Sequence, residues 1–362
     1  MGDRVSARSH SGRAPSAGLS LLGRNWAFAF LLITLVVFSF TGKNFLAINN
    51  FQNIVHLATT GLLLACAETF VIITGGIDLS VGFVMGLSAV ASSSTMQQLY
   101  AAHWSGPASV LVGLAVGMAA ALASGLAAGI LIARYRVPPF IATLGTQGIA
   151  IGVTYHICGG FPVWYLPPGL TDIGNAYVLY IHPASGAWSF FSRPAGIAAN
   201  QVKELVRLVP VSFILIIVFL LVLWHLLRNT RFGQHTYAIG GSMDAAVRAG
   251  IDTRRHLVSI YVLSAALAGL AGLVDLFQSG TGNFTTFGAQ LELFAIAAVI
   301  IGGASLFGGK GRVMASVVGV LLLKVLENGL NLSGVEPFYR YIAVGLILVV
   351  AVVIDQLFPD LF

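Results

Sequence analysis

The chain has 362 residues, of which 57% are hydrophobic and only 9% carry a charge. This composition excludes a soluble globular domain and, because the apolar runs have the length of membrane helices, it predicts an all-α polytopic membrane protein. The formal net charge of +6 is spread over short segments between the apolar runs, which indicates the positive-inside bias of membrane proteins rather than nucleic-acid binding.

Apolar runs divide the chain into about ten predicted spans, some of them short or broken. They cover residues 26–41, 53–74, 81–97, 108–133, 140–157, 208–227, 257–278, 291–304, 313–330 and 338–357. Residues 1–25 are predicted to be a flexible basic tail in the cytoplasm. We expect the first run to be retained because no small-x-small cleavage site follows it, so residues 26–362 form a single transmembrane domain.

The basic residues predict the orientation of these spans. With both termini in the cytoplasm, 13 of the 19 Lys and Arg residues fall in cytoplasmic segments, and the opposite orientation would invert this bias. Residues 158–205 are then external, and residues 228–256 form a cytoplasmic loop. The external segment is rich in aromatic residues, which is typical of an interface belt, and we predict an amphipathic helix over 201–207.

The run 108–133 carries a small residue at every fourth position. These residues are Gly113, Gly117, Ala121, Gly125 and Gly129. Such a ladder lets helix backbones approach each other closely, so it predicts packing between helices rather than chemistry. Small residues in the run 257–278 indicate a second packing face of the same kind.

Residues 74–82 interrupt the apolar sequence between the second and third runs. Gly75 and Gly76 allow the backbone to leave helical geometry, and Asp78 and Ser80 are residue types that cap a new helix. A carboxylate at this depth must be buried in protein, capped or in contact with water. Asp78 is therefore either a cap in a tight turn or a functional group, and these residues alone leave both open.

The glycine-rich residues 303–311 do not form a phosphate loop. Ala304 stands where the first Gly of that motif belongs, and Gly311 stands where Ser or Thr should follow Lys310. Any ATP that the protein uses would therefore bind to another chain. The eight His and two Cys residues show no metal-ligand spacing, and we expect no metal site, no cofactor and no catalytic residue.

Residues 240–251 predict a short helix inside the 228–256 loop. Ser242 is a good N-cap, Asp244 suits the positive end of the helix dipole, and Gly250 suits the helix end. On these grounds alone the segment is an exposed surface helix.

Four polar residues share one face of the ninth predicted helix. Lys324, Glu327, Asn328 and Asn331 stand at offsets of 0, 3, 4 and 7. Lys324 and Glu327 could form a satisfied ion pair within the bundle, or the face could line a path for a solute. The spacing favours neither of these.

The string in residues 74–82, Thr-Gly-Gly-Ile-Asp-Leu-Ser-Val-Gly, closely resembles the signature of the sugar-uptake branch of bacterial ABC permeases, the ribose, xylose, arabinose and galactose type. Further similarity extends over residues 44–357. The signature residues are Gly75, Gly76, Asp78, Ser80 and Gly82. This chain departs from the family at Phe294, where the family usually has Asp, and the departure indicates a different substrate or partner.

The resemblance implies the permease subunit of an ABC importer, which carries a monosaccharide to the cytoplasm and is not itself an enzyme. Residues 240–251 are similar to the segment by which such permeases dock on their ATPase. The coupling residues would be Ser242, Asp244, Ala245, Ala246, Arg248 and Gly250. The substrate path would include Glu68, Asp78, Ser80, Asn328 and Asn331. We expect the two asparagines to line its outer vestibule, and Glu68 and Asp78 to form part of its inner constriction.

The partners implied by the resemblance are ABC ATPase subunits that bind ATP and Mg²⁺, a periplasmic or lipid-anchored sugar-binding protein, a second permease chain and the lipid of the bacterial inner membrane. Two other functions stay open: an ABC permease for a nucleoside or an amino acid, and an ion-coupled secondary transporter with a broken helix at 74–82. Few carboxylates are predicted at mid-membrane, which argues against ion coupling. The identity of the sugar, and whether the two permease chains are identical, also stay open.

Overall fold

The computed structural model describes residues 26–194, 205–284 and 290–336, and also residues 338–339, 342–343, 345–346, 349–350 and 353, which are helical. The elements in chain order are α1 (Trp26–Thr41), α2 (Ile48–Ile73), α3 (Val81–Ala101), α4 (Gly106–Tyr135), α5 (Pro139–Cys158), α6 (Leu170–Gly174), β1 (Tyr177–His182), β2 (Ala187–Phe190), β3 (Val206–Pro210), α7 (Val211–Asn229), α8 (Arg231–Gly241), α9 (Met243–Arg248), α10 (Thr253–Ser279), α11 (Leu291–Ile301) and α12 (Val313–Leu332). The predicted tail 1–25 and part of the predicted span 338–357 lie outside the described residues.

Five of these helices, α2, α4, α7, α10 and α12, are long and apolar enough to cross a membrane, and α1 and α11 are shorter apolar helices. The chain is therefore a mostly helical, multi-pass membrane protein. The helix bounds follow the predicted runs closely, although α2 begins at Ile48 rather than at residue 53. The count of ten spans and the side on which the termini lie stay predictions.

The prediction of an all-α fold is wrong for one region, because residues 177–210 contribute a three-stranded antiparallel sheet in the order β2-β1-β3. Its β-branched and aromatic side chains favour extended structure, and Gly186 closes the β1–β2 hairpin with a φ of +68°. The helix predicted over 201–207 is wrong at Val206 and Arg207, because their backbone pairs with β1 in strand β3. Residues 201–204 of that prediction lie outside the described residues.

Helix α2 lies at the centre of the bundle. Its residues 61–73 are all buried, and α7, α10, α11 and α12 pack against it. A helix that is apolar on every side is expected to be surrounded by others. The polar turn that follows α2 is thereby brought against α10 and α11.

The small-residue ladder of α4 packs as predicted. A Cβ atom built on Gly117 would lie 2.6 Å from the carbonyl oxygen of Ser88 in α3, and one on Gly125 would lie 2.5 Å from the carbonyl oxygen of Tyr261 in α10. These distances leave no room for a side chain. The glycines therefore allow α4 to contact α3 and α10 backbone to backbone, which fixes α10 beside the turn after α2.

The predicted cytoplasmic loop 228–256 is helical over most of its length. Helix α7 continues to Asn229, α8 and α9 follow, and α10 begins at Thr253. The side chain of Thr230 caps α8 by accepting from the Gly233 N–H (3.4 Å), and that of Asp252 caps α10. Short capped helices, rather than an extended connector, thus join α7 to α10.

Candidate functional site

Helix α2 ends at Ile73, and the chain turns through residues 74–80 before α3 begins. Gly75 has a φ of +78°, a left-handed conformation that residues with a Cβ adopt at a cost. The Gly75 N–H donates to the carbonyl of Ile72 (2.9 Å), and the Gly76 N–H donates to that of Val71 (3.1 Å). The predicted break at these two glycines is therefore confirmed.

Asp78 accepts hydrogen bonds from Ser80, two positions ahead in the turn, and from a neighbouring helix. Its Oδ1 accepts from the backbone N–H of Ser80 (2.9 Å) and from the Ser80 hydroxyl (2.6 Å), and its Oδ2 accepts from the Ser264 hydroxyl in α10 (2.8 Å). Ser80 makes no side-chain capping bond to α3, because it has helical rather than extended backbone angles. Asp78 accepts from a backbone N–H two positions ahead, as a cap in a tight turn does, so both interpretations of Asp78 stay open. The three bonds tie the turn to α10.

Three carboxyl groups and one phenol meet beside this turn. Glu68 of α2 and Asp78 are buried, and both lie near Tyr261 of α10. Glu292 at the start of α11 is also buried and lies near Glu68. We call Glu68, Asp78, Tyr261 and Glu292 the acid cluster.

Two signature glycines provide the space that the acid cluster occupies. A Cβ atom on Gly76 would lie 2.5 Å from the Tyr261 hydroxyl oxygen. One on Gly82 would lie 2.6 Å from Oε2 of Glu292. Any side chain at either position would displace a polar group of the cluster, which gives a physical reason for glycine at both.

Four polar atoms of the acid cluster have no hydrogen-bond partner within the described part of the chain. They are both carboxylate oxygens of Glu68, which the backbone N–H of Asp78 approaches without meeting hydrogen-bond geometry, the hydroxyl oxygen of Tyr261 and Oε2 of Glu292. An unpaired buried polar group costs about 1–3 kcal/mol, so this centre is an expensive feature of an apolar bundle. Ionisable groups placed at such a cost inside a membrane protein are a functional-site hypothesis by default.

Three backbone segments meet at the end of α2 with no side chain between them. They are residues 73–75, residues 240–241 of α8 and residues 308–311, and we call them the glycine node. The Gly309 N–H donates to the Ile73 carbonyl (2.8 Å), and a Cβ atom on Gly240 would overlap the same carbonyl oxygen. A Cβ atom on Gly308 would lie 2.8 Å from the Gly240 carbonyl oxygen. Residues 303–311, which fail as a phosphate loop, thus hold α8 against the end of α2.

A side-chain hydrogen bond reinforces the glycine node. The hydroxyl of Tyr237 in α8 donates to the carbonyl oxygen of Gly311 (2.7 Å). Burial raises the pKa of Tyr237, against a smaller opposite effect of Arg312, so the hydroxyl keeps the proton that it donates.

Helix α9 follows the node and has the predicted cap and end. The Ser242 hydroxyl accepts from the Ala245 N–H (3.2 Å), and Asp244 lies in the first turn. Gly250 follows with a φ of +81°, and its N–H donates to the Val247 carbonyl (3.0 Å). The local geometry predicted for this helix is therefore confirmed.

The two faces of α9 differ in exposure. Ala246 is buried, whereas Met243 and Val247 are exposed over 41% and 54% of their surface, and Arg248 ends the helix. Exposed apolar side chains on a short capped helix are typical of a contact surface. The predicted coupling residues thus share one small helix, and their part in coupling stays a prediction.

A cavity of about 790 Å³ separates α9 from the turn after α2. Its lining includes Gly75 and Gly76 from the turn, Met243, Asp244 and Val247 from α9, and Tyr261 from the acid cluster. The structure therefore brings the signature and the predicted coupling residues to one place. Glu68 and Asp78 are buried among helices and do not line this cavity, and the inner constriction predicted for them stays untested.

The four polar residues of α12 have different surroundings: two form an ion pair, one is bonded to another helix and one is exposed. Lys324 Nζ donates to Oε2 of Glu327 (2.9 Å). The Asn328 amide is buried and donates to Oδ1 of Asn50 in α2 (2.9 Å), whereas Asn331 is exposed. Asn328 thus joins two helices, and Asn331 is left at the surface.

Sequence reasoning missed three residues that hold this site together. Tyr261 and Ser264 are three positions apart in an apolar run, so they lie on the same face of α10. This pair of polar residues on one helix face was a signal by which the sequence could have identified them. Tyr237 gave no such signal, because its partner is a backbone carbonyl 74 residues away.

Curated relatives of this chain are sugar permeases. It is 36% identical over 329 residues to the ribose import permease protein RbsC of Bacillus subtilis, covering 91% of each chain. It is 30% identical to the D-allose transport system permease protein AlsC of Escherichia coli (91% of this chain, 90% of the relative), and 31% identical to the galactose/methyl galactoside import permease protein MglC of Salmonella typhimurium (94% and 96%). The predicted resemblance to sugar-uptake permeases is confirmed.

No solved structure matches the chain. Relatives of this kind are transport subunits, and the polytopic fold agrees with them. The family described as "Branched-chain amino acid transport system / permease component" matches residues 50–352, and the chain belongs to this family of transport permeases.

Proposed function

We propose that the chain is the permease subunit of an ABC importer in the bacterial inner membrane, and that its cargo is a monosaccharide. The support is its similarity, over most of its length, to permeases named for ribose, allose and galactose. In this proposal the chain spans the membrane ten times with both termini inside and works beside a second permease chain. An external binding protein delivers the sugar, and separate ATPase subunits bind ATP and Mg²⁺.

The glycine node is the observation that carries this mechanism. Helix α9 follows directly on α8, and the backbone of α8 is in contact with the last carbonyl of α2 at the node. Backbone contacts without intervening side chains transmit displacement, because there is no gap to absorb it. A push on α9 by an ATPase would therefore move the end of α2 and the turn that holds Asp78.

The acid cluster lies beside the turn that this movement would displace. Asp78 is bonded to Ser264 of α10, so a shift of the turn changes the packing of α2 against α10. Glu68 and Asp78 would then form part of an inner constriction that has two arrangements, closed and open to the cytoplasm. Polar groups at this point can exchange hydrogen bonds with the hydroxyls of a passing sugar.

The exposed face of α9 would be the docking surface for the ATPase. Met243 and Val247 border the cavity beside the turn after α2 and are exposed enough to offer apolar contact to a partner there, and Ala246 anchors the helix to the permease. Ser242, Asp244 and Gly250 keep the helix short and correctly oriented. Its small size suits a helix that fits into a groove of a partner.

Uptake by the native host tests the proposal. Cells that lack the chain should lose ATP-dependent uptake of at least one of labelled ribose, allose and galactose, and the intact gene should restore it. Labelled leucine is included because the family description names branched-chain amino acids. Unchanged uptake of all three sugars, or loss of leucine uptake alone, would overturn the assignment of a sugar.

The same cells distinguish an ABC importer from an ion-coupled secondary transporter. An ABC importer stops when ATP is depleted but keeps working when a protonophore collapses the proton gradient while ATP is maintained. A secondary transporter shows the reverse pattern. The reverse pattern would reject the ABC mechanism irrespective of which solute is carried.

A further inference from the structure

A polar cavity of about 340 Å³ lies at the first turns of α2, at the opposite end of this helix from the 74–80 turn. One wall consists of Asn49, Gln52, Asn53 and His56, which stand at offsets of 0, 3, 4 and 7 and therefore share one face of α2. Twenty-five residues separate Asn49 from Thr74, so the cavity lies about 37 Å along the helix from the turn.

The opposite wall comes from the sheet region. Asn175 precedes β1, Tyr177 begins β1, and Arg207 lies in β3. The Arg207 guanidinium sits over the Tyr177 ring at 5.8 Å from its centre, so its charge is already directed to an aromatic face. The cavity is thus bounded by amides, an imidazole, a phenol and one arginine, with Leu205 as its one apolar aliphatic residue among those described.

Hydrogen bonds hold the two walls in place. The Gln52 amide donates to the backbone carbonyl of Arg207, which joins α2 directly to β3. The Asn175 amide donates to the carbonyls of Thr171 (3.0 Å) and Gln278 (2.9 Å), which joins this wall to α10. The cavity is therefore formed in advance of any ligand.

We infer that this cavity is a binding subsite for one neutral monosaccharide, an inference that rests on the proposed sugar transport. Asn49 and Asn53 each offer an amide donor and an acceptor, and Gln52 and Asn175, whose amide groups donate to backbone carbonyls, offer their amide oxygens; together these match the hydroxyls of a sugar. Among the residues that the structure describes, the cavity lining includes no carboxylate, and the one guanidinium there is engaged by Tyr177, so this lining favours a neutral ligand over a cation. Its volume is at the lower end of the range of about 300–1,000 Å³ for small-molecule sites, which fits one sugar ring.

In the proposed orientation the subsite is on the external side, before the inner constriction. A sugar released by a binding protein would exchange part of its hydration for these amides at the start of its path. Weak binding is sufficient, because a transport subsite must also release its ligand. We therefore expect half-saturation in the millimolar range, which corresponds to about −4 kcal/mol.

Protection of an introduced cysteine tests the subsite on the purified full chain. Asn53→Cys is made in a Cys158→Ser background, in which the remaining Cys66 is buried. Ribose, allose and galactose are each added before a water-soluble maleimide, and the labelling rate is measured. At least one of the three sugars should slow labelling several-fold in a saturable way. Ala184→Cys is the control, because Ala184 lies in the exposed β1–β2 turn outside the cavity and should be labelled at one rate throughout.

Labelling of Asn53→Cys that no sugar slows would overturn the subsite, and so would equal slowing at Ala184→Cys. Galacturonate that protects better than galactose would overturn the neutral class of ligand. His56→Cys gives a second probe on the same face if Asn53→Cys does not fold. The assay needs no ATPase or binding protein, so its failure is distinguishable from failure of the uptake experiment, which tests the transport function itself.

Discussion

The ammonium nitrogen of Lys324 in α12 lies 4.4 Å from the centre of the Phe294 ring in α11. Lys324 is only 15% exposed, whereas its ion-pair partner Glu327 is 42% exposed. The Phe294 ring therefore contacts the more buried residue of the ion pair. A cation held against an aromatic face is stabilised by the ring quadrupole. Phe294 stands where the resembling family usually has Asp, and an aromatic ring is thus the partner of the ammonium at this position.

The contact between these two residues should be measurable as a coupling in stability. Phe294→Leu and Lys324→Met are each expected to lower the Tm of the purified chain, and the double variant should lose less than the sum. An interaction of about 0.5–2 kcal/mol is expected for a partly desolvated pair. Glu327→Gln is the control and should change less, because the glutamine oxygen can still accept from the Lys324 ammonium and the Glu327 carboxylate is half-exposed. Strictly additive losses would show that the ring and the ammonium do not interact.

Adjacent glycines in α8 provide a matched test of the glycine node. A Cβ atom on Gly240 would overlap the Ile73 carbonyl and lie 2.6 Å from the Gly309 nitrogen, whereas one on Gly241 meets nothing within 4 Å. Gly240→Ala should therefore separate α8 from α2, at a cost of about 1–3 kcal/mol, and abolish sugar uptake while the protein still inserts. Gly241→Ala should transport normally. Equal uptake by both variants would remove the node from the mechanism.

The sequence predicted those features whose cause is local. Ser242 and Gly250 have the chemistry of a cap and an end, and the spacing of Gly117 and Gly125 places both on one helix face. The glycine node was not predictable, because it depends on a contact between residues 73 and 309 that no periodicity encodes. The hydrogen bond from Ser264 to Asp78 was not predictable for a related reason, since the two residues lie 186 positions apart in the sequence.

Helix α9 gives a test of coupling that spares the rest of the bundle. Gly250→Val places a β-branched residue at a φ of +81°, which strains the helix end by about 1–2 kcal/mol. Asp244→Lys places a cation at the positive end of the dipole, and Val247→Glu adds a charge to the exposed apolar face. All three variants should insert normally but lose uptake and the stimulation of the ATPase. Normal uptake by all three would reduce α9 to a connector.

Labelling of single cysteines from outside intact cells checks the proposed orientation. Ser185→Cys lies in the turn between β1 and β2, and Ser242→Cys lies at the start of α9. Each is made without Cys158. A membrane-impermeant maleimide should label the residue 185 variant in intact cells and the residue 242 variant only after permeabilisation. The opposite result would invert the topology and place the sheet in the cytoplasm.

The two asparagines of α12 should respond differently to the same substitution. Sequence analysis placed both on the path, but Asn328 is buried and bonded to Asn50, whose own amide donates to the Phe45 carbonyl (2.9 Å). Asn328→Leu leaves the Asn50 oxygen without its donor, so we expect a loss of stability of about 1–3 kcal/mol.

Asn331 is exposed, so the Asn331→Leu variant should keep the wild-type Tm. A fall in sugar uptake by this variant would then indicate that Asn331 lies on the substrate path. Thermal unfolding and uptake are measured on the same preparations of both variants. A stable Asn328→Leu variant would show that the bond to Asn50 contributes little. Wild-type uptake by Asn331→Leu would remove this residue from the outer vestibule.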